Sequence, residues 1–319
     1  MWKVFVRRVL MLVPQLFALS VLIFIIGYMM PGDAFTGMIS PQYSPQRVAQ
    51  LREIHGLDDP WYVQYARWMR GAARGDFGRS LTYRLPVTEL AAQRALNTVH
   101  LQLLTLALMY AIALPLGIIA GKHNGRLPEK IISTYGYLML ATPTVVFGML
   151  VLYVFGFRLG WVPVRGSVDL GVTSGVDYFV SRLRHMIAPA LTGALLWTTH
   201  IVQYLRNEIV EFKNSDFVTT ARSKGVPMNS IYTRHILRNA LLPIAASLGL
   251  MIFAMLTGSV FIESVFSYPG LGGLFLDSIM QRDYSVINFL LMLFGVMLVL
   301  GAFVSDVLIS VADPRIRIR

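Results

Sequence analysis

Six long apolar runs constrain this chain more than any other feature, near residues 9 to 30, 99 to 120, 131 to 156, 186 to 205, 240 to 262 and 286 to 309. Each is long enough to cross ~30 Å of hydrocarbon as an α-helix, which takes about 20 predominantly apolar residues. A bilayer offers the backbone no hydrogen-bonding partner, so such runs fold as helices that satisfy their own N–H and C=O groups. Only 14% of the residues are charged, as expected of an integral membrane protein rather than a soluble domain with a large core. The first run follows Lys3, Arg7 and Arg8 as a signal peptide would. It is too long for that role and no small-residue cleavage site follows, so it is expected to be retained as a helix.

All five lysines, Lys3, Lys122, Lys130, Lys213 and Lys224, lie in segments that a cytoplasmic N-terminus would keep inside. The positive-inside rule therefore predicts a multi-pass chain with both termini cytoplasmic. The net charge of +11 is explained by this orientation and not by nucleic acid, because no basic stripe with interleaved aromatics accompanies it. The absence of cysteine excludes disulfides and thiolate chemistry.

Between the fourth and fifth runs lies a charged insert, DFVTTARSKGVPMNSIYTRHILRNALLP, from Asp216 to Pro243. Asp216 can accept hydrogen bonds from the free N–H groups of a helix start, Gly225 suits a left-handed C-terminal position, and Pro227 suits the first position of a following helix. The insert thus reads as helix, sharp turn, helix. Phe217, Thr220 and Ala221 share one face of the first helix, while Arg222 and Lys224 fall at its C-terminal end, where cations meet the negative end of the dipole. That small-residue face is expected to be left free for docking.

Residues 31 to 98 read as an ordered outer subdomain. Ser44 and Pro45 open a short helix that Gly56 ends, and Asp59 with Pro60 opens a second. In the second, Trp61, Tyr62, Tyr65, Trp68 and Met69 follow the spacing of one apolar face, with Arg67, Arg70 and Arg74 off it. Such a helix can lie at the membrane interface or pack on the protein's own outer ends, and the two are compatible. Further on, Tyr268-Pro269-Gly270 and Gly272-Gly273 are turn chemistry outside the fifth run.

The insert resembles the "EAA" loop of bacterial ABC-importer permeases, in the T-A-R-x-K-G, R-H-x-L-R-N-A-L-x-P form of peptide permeases. Thr220, Ala221, Arg222, Lys224 and Gly225 carry the first half of the pattern. Arg234, His235, Leu237, Arg238, Asn239, Ala240, Leu241 and Pro243 carry the second. Thr219 and Thr220 stand where the generic loop has Glu and Ala. The resemblance extends through Pro31-Gly32-Asp33, Gly56 to Pro60, Gly75 to Leu81, Pro86-Val87, Glu263 to Gly272, Arg282-Asp283-Tyr284 and Asp313 to Arg317, and so runs essentially from end to end.

The resemblance implies an all-α integral membrane fold with six transmembrane helices, a large outer loop after helix 1 and a cytoplasmic coupling helix between helices 4 and 5. Residues 1 to 98 would hold the first helix and an extracytoplasmic subdomain, and residues 99 to 319 a five-helix permease core with its coupling loop at 206 to 239. By the same resemblance Asp216, Phe217, Thr220, Ala221, Arg222, Ser223, Lys224 and Gly225 would couple to an ATPase. Glu263, Tyr268, Pro269 and Gly270 would flank the outer mouth, where a substrate-binding protein docks. The implied partners are a second homologous permease subunit, two cytoplasmic ATPase subunits holding ATP and Mg, an external binding protein and the lipid of a bacterial inner membrane. The long outer segment after a single span points to the first of the two permease subunits.

No G-x-x-x-x-G-K-[ST] loop, H-E-x-x-H, G-x-S-x-G or clustered metal-ligand pattern occurs, so no catalytic or metal site and no cofactor are expected in this chain. Polar groups inside hydrocarbon are costly and need a role. His100, Gln102, Asn288 and Asp306 are visible in the runs. Thr199, His200 and Gln203 lie within about one turn and either line a wet pathway or bond between helices. Gly117 and Gly121 form a G-x-x-x-G cue for close helix packing, and Pro115 and Pro143 suggest bends. Two other readings stay open: a peptide-type permease for nickel or another small solute, and a self-sufficient secondary transporter, which would need ionisable groups at the membrane midplane and inverted repeats.

Overall fold

The computed structural model describes residues 2–30, 50, 53, 56, 58–256 and 259–312. The short helix expected after Ser44 and the motifs at Pro31–Asp33 and Asp313–Arg317 lie outside the described residues. Among those described there is no strand, only an isolated bridge between Arg79 and Pro86. In chain order the helices are α1 (Trp2–Met29), α2 (Trp61–Ala72), α3 (Val87–Lys122), α4 (Leu127–Ala141), α5 (Thr144–Val151), α6 (Gly175–Lys213), α7 (Asp216–Ser223), α8 (Met228–Ser230), α9 (Leu237–Ala240), α10 (Leu242–Leu256), α11 (Val260–Val265), α12 (Leu271–Met280) and α13 (Tyr284–Ala312). π-helical turns follow α5 at Leu152–Arg158 and join α8 to α9 at Ile231–Ile236.

Among the described residues, 4 helical stretches are long and apolar enough to cross a membrane: Leu10–Met29, Val87–Lys122, Ser247–Val265 and Tyr284–Leu308. Two of the six expected spans are not among these four. The run 131 to 156 is α4 and α5, bent by 104° at Thr142 and Pro143, so it counts as a span only if the broken pair is taken together. Proline lacks the N–H that would continue the ladder, which accounts for the break. The run 186 to 205 lies inside the 39-residue α6 but does not pass on apolarity. Its lower hydropathy has a physical reason: Thr192, Thr198 and Thr199 are buried against protein, and Thr192 and Thr198 donate to the carbonyls of Ala188 and Ala194. Gly272 and Gly273 are also corrected, since they lie within α12 and not in a turn.

The chain divides into two compact units. The first contains α1, α2, the start of α3, α12 and most of α13. Val87, Leu90 and Ala91 of α3 meet Leu271 and Leu274 of α12 and Val286 and Leu290 of α13 in its core. A buried polar link fastens this unit. Asp283 caps α13 by accepting from the Val286 N–H at 3.5 Å, and its other oxygen accepts from Ser80 Oγ at 2.5 Å and from the Thr82 N–H at 3.4 Å. With Asp283 1% exposed, Asp283→Ala would strand the donors of Ser80 and Thr82. The expected cost is about 2 to 4 kcal/mol, read as a lower midpoint in thermal unfolding of the detergent-solubilised chain. An unchanged midpoint would show that the link carries no stability.

The second unit is built on α3 against α6. A Cβ placed on Gly117 would come within 3.0 Å of Leu205 Cβ, and one on Gly121 within 2.7 Å of Ile209 Cβ. The G-x-x-x-G spacing is therefore a close backbone approach between α3 and α6. Met109, Ala113, Ala194, Val202, Leu205 and Ile209 fill the core along this seam.

Candidate functional site

The charged insert folds as a short helix seated on the second unit. Gly225 takes φ +75, and around it the Val226 N–H donates to the Ala221 carbonyl at 3.2 Å while the Gly225 N–H donates to the Arg222 carbonyl at 3.0 Å. This is a Schellman ending, which only a residue at ease in the left-handed region closes without strain. The expected left-handed turn is present. At the other end Ser215, not Asp216, holds the cap position, and no side-chain cap bond is made; Ser215 Oγ donates back to Phe212 O at 2.6 Å. Asp216 instead occupies the first turn, where its charge faces the positive end of the dipole. The next helix starts at Met228, one residue after Pro227.

The face assignment needs correction at one residue. Val218 is 1% exposed and Ala221 8%, and both pack into the core with Ile209, Ile231, Ile236 and Ala240. Ala221 therefore seats the helix and does not belong to a free face. Asp216, Phe217, Thr219, Thr220, Arg222, Ser223 and Lys224 form the exposed side. Phe217 also stacks beside Phe212, with ring centroids 6.0 Å apart. The seat depends on the π-helical turn: Ile231 and Ile236, five residues apart, are both fully buried, which an α-helical turn would not place on one side.

Thr199 and Gln203 face α4, where a Cβ on Gly136 would lie 3.0 Å from Thr199 Cγ2 and 3.5 Å from Gln203 Nε2. His200 points away from them and is exposed, so the three do not converge. Thr199 Oγ1 is buried without a hydrogen-bond partner among the described residues.

Glu263 and Tyr268 are not surface groups at all. Glu263 is 0% exposed and Tyr268 2%, and the Tyr268 N–H donates to the Glu263 carbonyl at 2.7 Å. Burial pushes the Tyr268 hydroxyl up to about 12, against the opposing pull of Arg182, whose guanidinium donates to it. Arg182 Nη1 donates to Tyr178 Oη at 2.8 Å and Nη2 bonds His100 Nδ1 at 3.0 Å. Pro269 and Gly270 belong to the first unit, where Asn97 Nδ2 donates to the Pro269 carbonyl at 2.8 Å. Sequence reasoning missed Arg182, Tyr178, Ser181, His185 and Asp169. Ser181 Oγ donates to Asp169 Oδ2 at 2.7 Å, and His185 Nδ1 bonds the Ser181 carbonyl at 2.8 Å. The i, i+4 spacings Tyr178–Arg182 and Ser181–His185 were the available signal.

The chain thus combines several helices long and apolar enough to cross a membrane with a short polar helix seated on its surface. Residues 113–318 match the family model described as binding-protein-dependent transport system inner membrane component, and residues 1–89 match the N-terminal model of such components. The chain belongs to this family of permeases. It is 37% identical to the oligopeptide transport system permease protein AppB of Bacillus subtilis strain 168, over 98% of each chain. It is 34% identical to the glutathione transport system permease protein GsiC of Escherichia coli K12, again over 98% of each. It shares its fold with a chain of the MetNI methionine ABC transporter at a TM-score of 0.55 and 14% identity, covering 71% of this chain and 97% of that one.

Proposed function

We propose that this chain is the first of two homologous permease subunits of an ATP-driven importer for oligopeptides, and that it is not itself catalytic. It forms half of the translocation path. The observation that carries this reading is the helix Asp216–Ser223, anchored inward through Val218 and Ala221 while Phe217, Thr219, Thr220 and Arg222 stay exposed. A helix fixed on one side and open on the other transmits a displacement delivered to its outer side into the seat at Ile231 and Ile236. Two cytoplasmic ATPase subunits, which would hold ATP and Mg, are the proposed source of that displacement, and an external binding protein delivers the cargo. Peptide is favoured over nickel or another small solute because AppB is named for oligopeptide transport and glutathione, in the name of GsiC, is itself a tripeptide.

The test is copurification of the tagged chain, followed by ATP hydrolysis in liposomes with a binding protein loaded with oligopeptide or with nickel. Stimulation by the peptide-loaded form is expected. Purification without any ATPase, or stimulation by nickel only, would overturn the reading. Orientation is tested separately, in a chain with no cysteine of its own. A cysteine at Ser174 should label from outside intact cells and one at Ser230 should not, as the lysine distribution requires. The reverse pattern would place the termini outside.

A further inference from the structure

The helix α2 is placed by contacts with α1 that its sequence does not announce. Tyr65 Oη lies 2.9 Å from Ser20 Oγ, and Tyr65 and Trp68 pack on Phe24 with ring centroids 5.4 and 6.0 Å away. Ser20 and Phe24 are fully or almost fully buried. Both lie inside the apolar stretch Leu10–Met29, and Ser20 is midway along it. At ~1.5 Å rise per residue, about 13 Å of apolar helix continues from Ser20 to Met29. A helix held in water beyond the headgroups would touch the end of that stretch and not its middle.

We infer that α2 is a membrane-embedded interfacial helix, sunk in one leaflet beside α1 and covered on its flank by lipid. Tyr65 and Trp68 take the face against α1. With ~3.6 residues per turn, the next flank carries Tyr62, Ala66 and Ala73 and the far side carries Arg67, Arg70 and Arg74. Tyr62, Ala66 and Ala73 are exposed, as are Trp61 and Val63 at the start of the helix. On α1 itself, Leu22, Ile25 and Ile26 are likewise apolar and exposed. Aromatic side chains with a polar edge suit the glycerol and carbonyl depth of a bilayer, and long arginines reach outward to phosphate. Arg67 is already neutralised by Asp59 at 2.5 Å, which lowers the cost of holding the helix at that depth. The partner is thus membrane phospholipid, with acyl chains along Tyr62 and Ala66 and headgroup phosphates at Arg70 and Arg74. This inference rests on the membrane span of α1 and is independent of the proposed cargo and of any ATPase.

Single cysteines at Tyr62, Ala66, Arg70 and Arg74, all exposed positions, carry a nitroxide label in the full chain, copurified with its partners after replacement of any partner cysteine and reconstituted in phosphatidylethanolamine and phosphatidylglycerol vesicles. Collision with oxygen, which concentrates in the bilayer, is compared with collision with a water-soluble nickel chelate. The expected result is oxygen-dominated relaxation at Tyr62 and Ala66, shifting toward the nickel reagent at Arg70 and Arg74. Nickel-dominated relaxation at all four positions would put α2 in water. Shielding of Tyr62 and Ala66 from both reagents would mean that protein covers the flank, and either outcome overturns the inference.

Discussion

Thr220→Arg is expected to abolish the stimulation of ATP hydrolysis by loaded binding protein while leaving the chain folded and inserted. Thr220 is exposed on the outer side of the helix Asp216–Ser223, and its Oγ1 only donates back to the Asp216 carbonyl at 2.9 Å. Arginine is the better helix former, so stability should change by no more than ~0.5 kcal/mol. Bulk and charge would meet any partner seated on this side. Loss of a contact worth about 2 kcal/mol, the lower bound for an interface hot spot, weakens docking roughly 30-fold. Gly225→Val tests the same coupling by another route. Its Cβ would meet nothing within 4 Å, so the penalty is confined to the left-handed backbone, ~1 to 2 kcal/mol, and the helix is misdirected rather than unpacked. Ala221→Arg belongs to a different class, because it would force a cation into the core beside Ile231 and Ile236 and should lower assembly. Wild-type stimulation and uptake by Thr220→Arg and Gly225→Val at matched expression would reject the coupling role of this helix.

The second large effect is expected at Gly121. The Cβ of Gly121→Leu would lie 2.7 Å from both Cβ and Cγ2 of Ile209. Ile209 Cβ is attached to the backbone of α6 and cannot swing aside, so the two helices must separate along a seam whose core residues are almost fully buried. Overpacking of this kind typically costs 1 to 3 kcal/mol, and a leucine at a backbone contact should reach about 3 or more. The measurement is thermal aggregation of the solubilised protein by size-exclusion chromatography, with membrane yield alongside. A midpoint well below wild type is expected, and Gly121→Ala should fall between. Equal midpoints for all three would mean that the helices do not approach as closely as the structure has them.

Several features were legible in the order of residues because their causes are local. The left-handed position of Gly225 follows from its lack of a Cβ, and the break at Pro143 from the missing N–H. The G-x-x-x-G spacing puts two small residues on one helix face whatever the fold. The amphipathic pattern of Trp61 to Met69 specified that α2 has an apolar side, although not that Tyr65 would reach Ser20 in the middle of α1.

Other features depended on partners distant in the chain. Thr220 and Ala221 are adjacent small residues, and in a helix of 8 residues the sequence pattern does not say which one turns inward. The seat decides it, and the seat relies on a π-helical turn whose extra residue puts Ile231 and Ile236 on one side, outside any 3.6-residue periodicity. Glu263 and Tyr268 were expected at the outer mouth from the family resemblance, and nothing in their local pattern says that they are buried. Tyr268 is buried where Arg182, a residue far away in the chain, interacts with it. By itself, then, the sequence determined a membrane-spanning helical chain and the place and shape of its sharp turns, since hydropathy and backbone sterics act on neighbouring residues. Which polar side chains are buried, which side of the helix Asp216–Ser223 is exposed and where along α1 the helix α2 packs were settled only by the tertiary structure, because each depends on a contact between residues that no local pattern brings together.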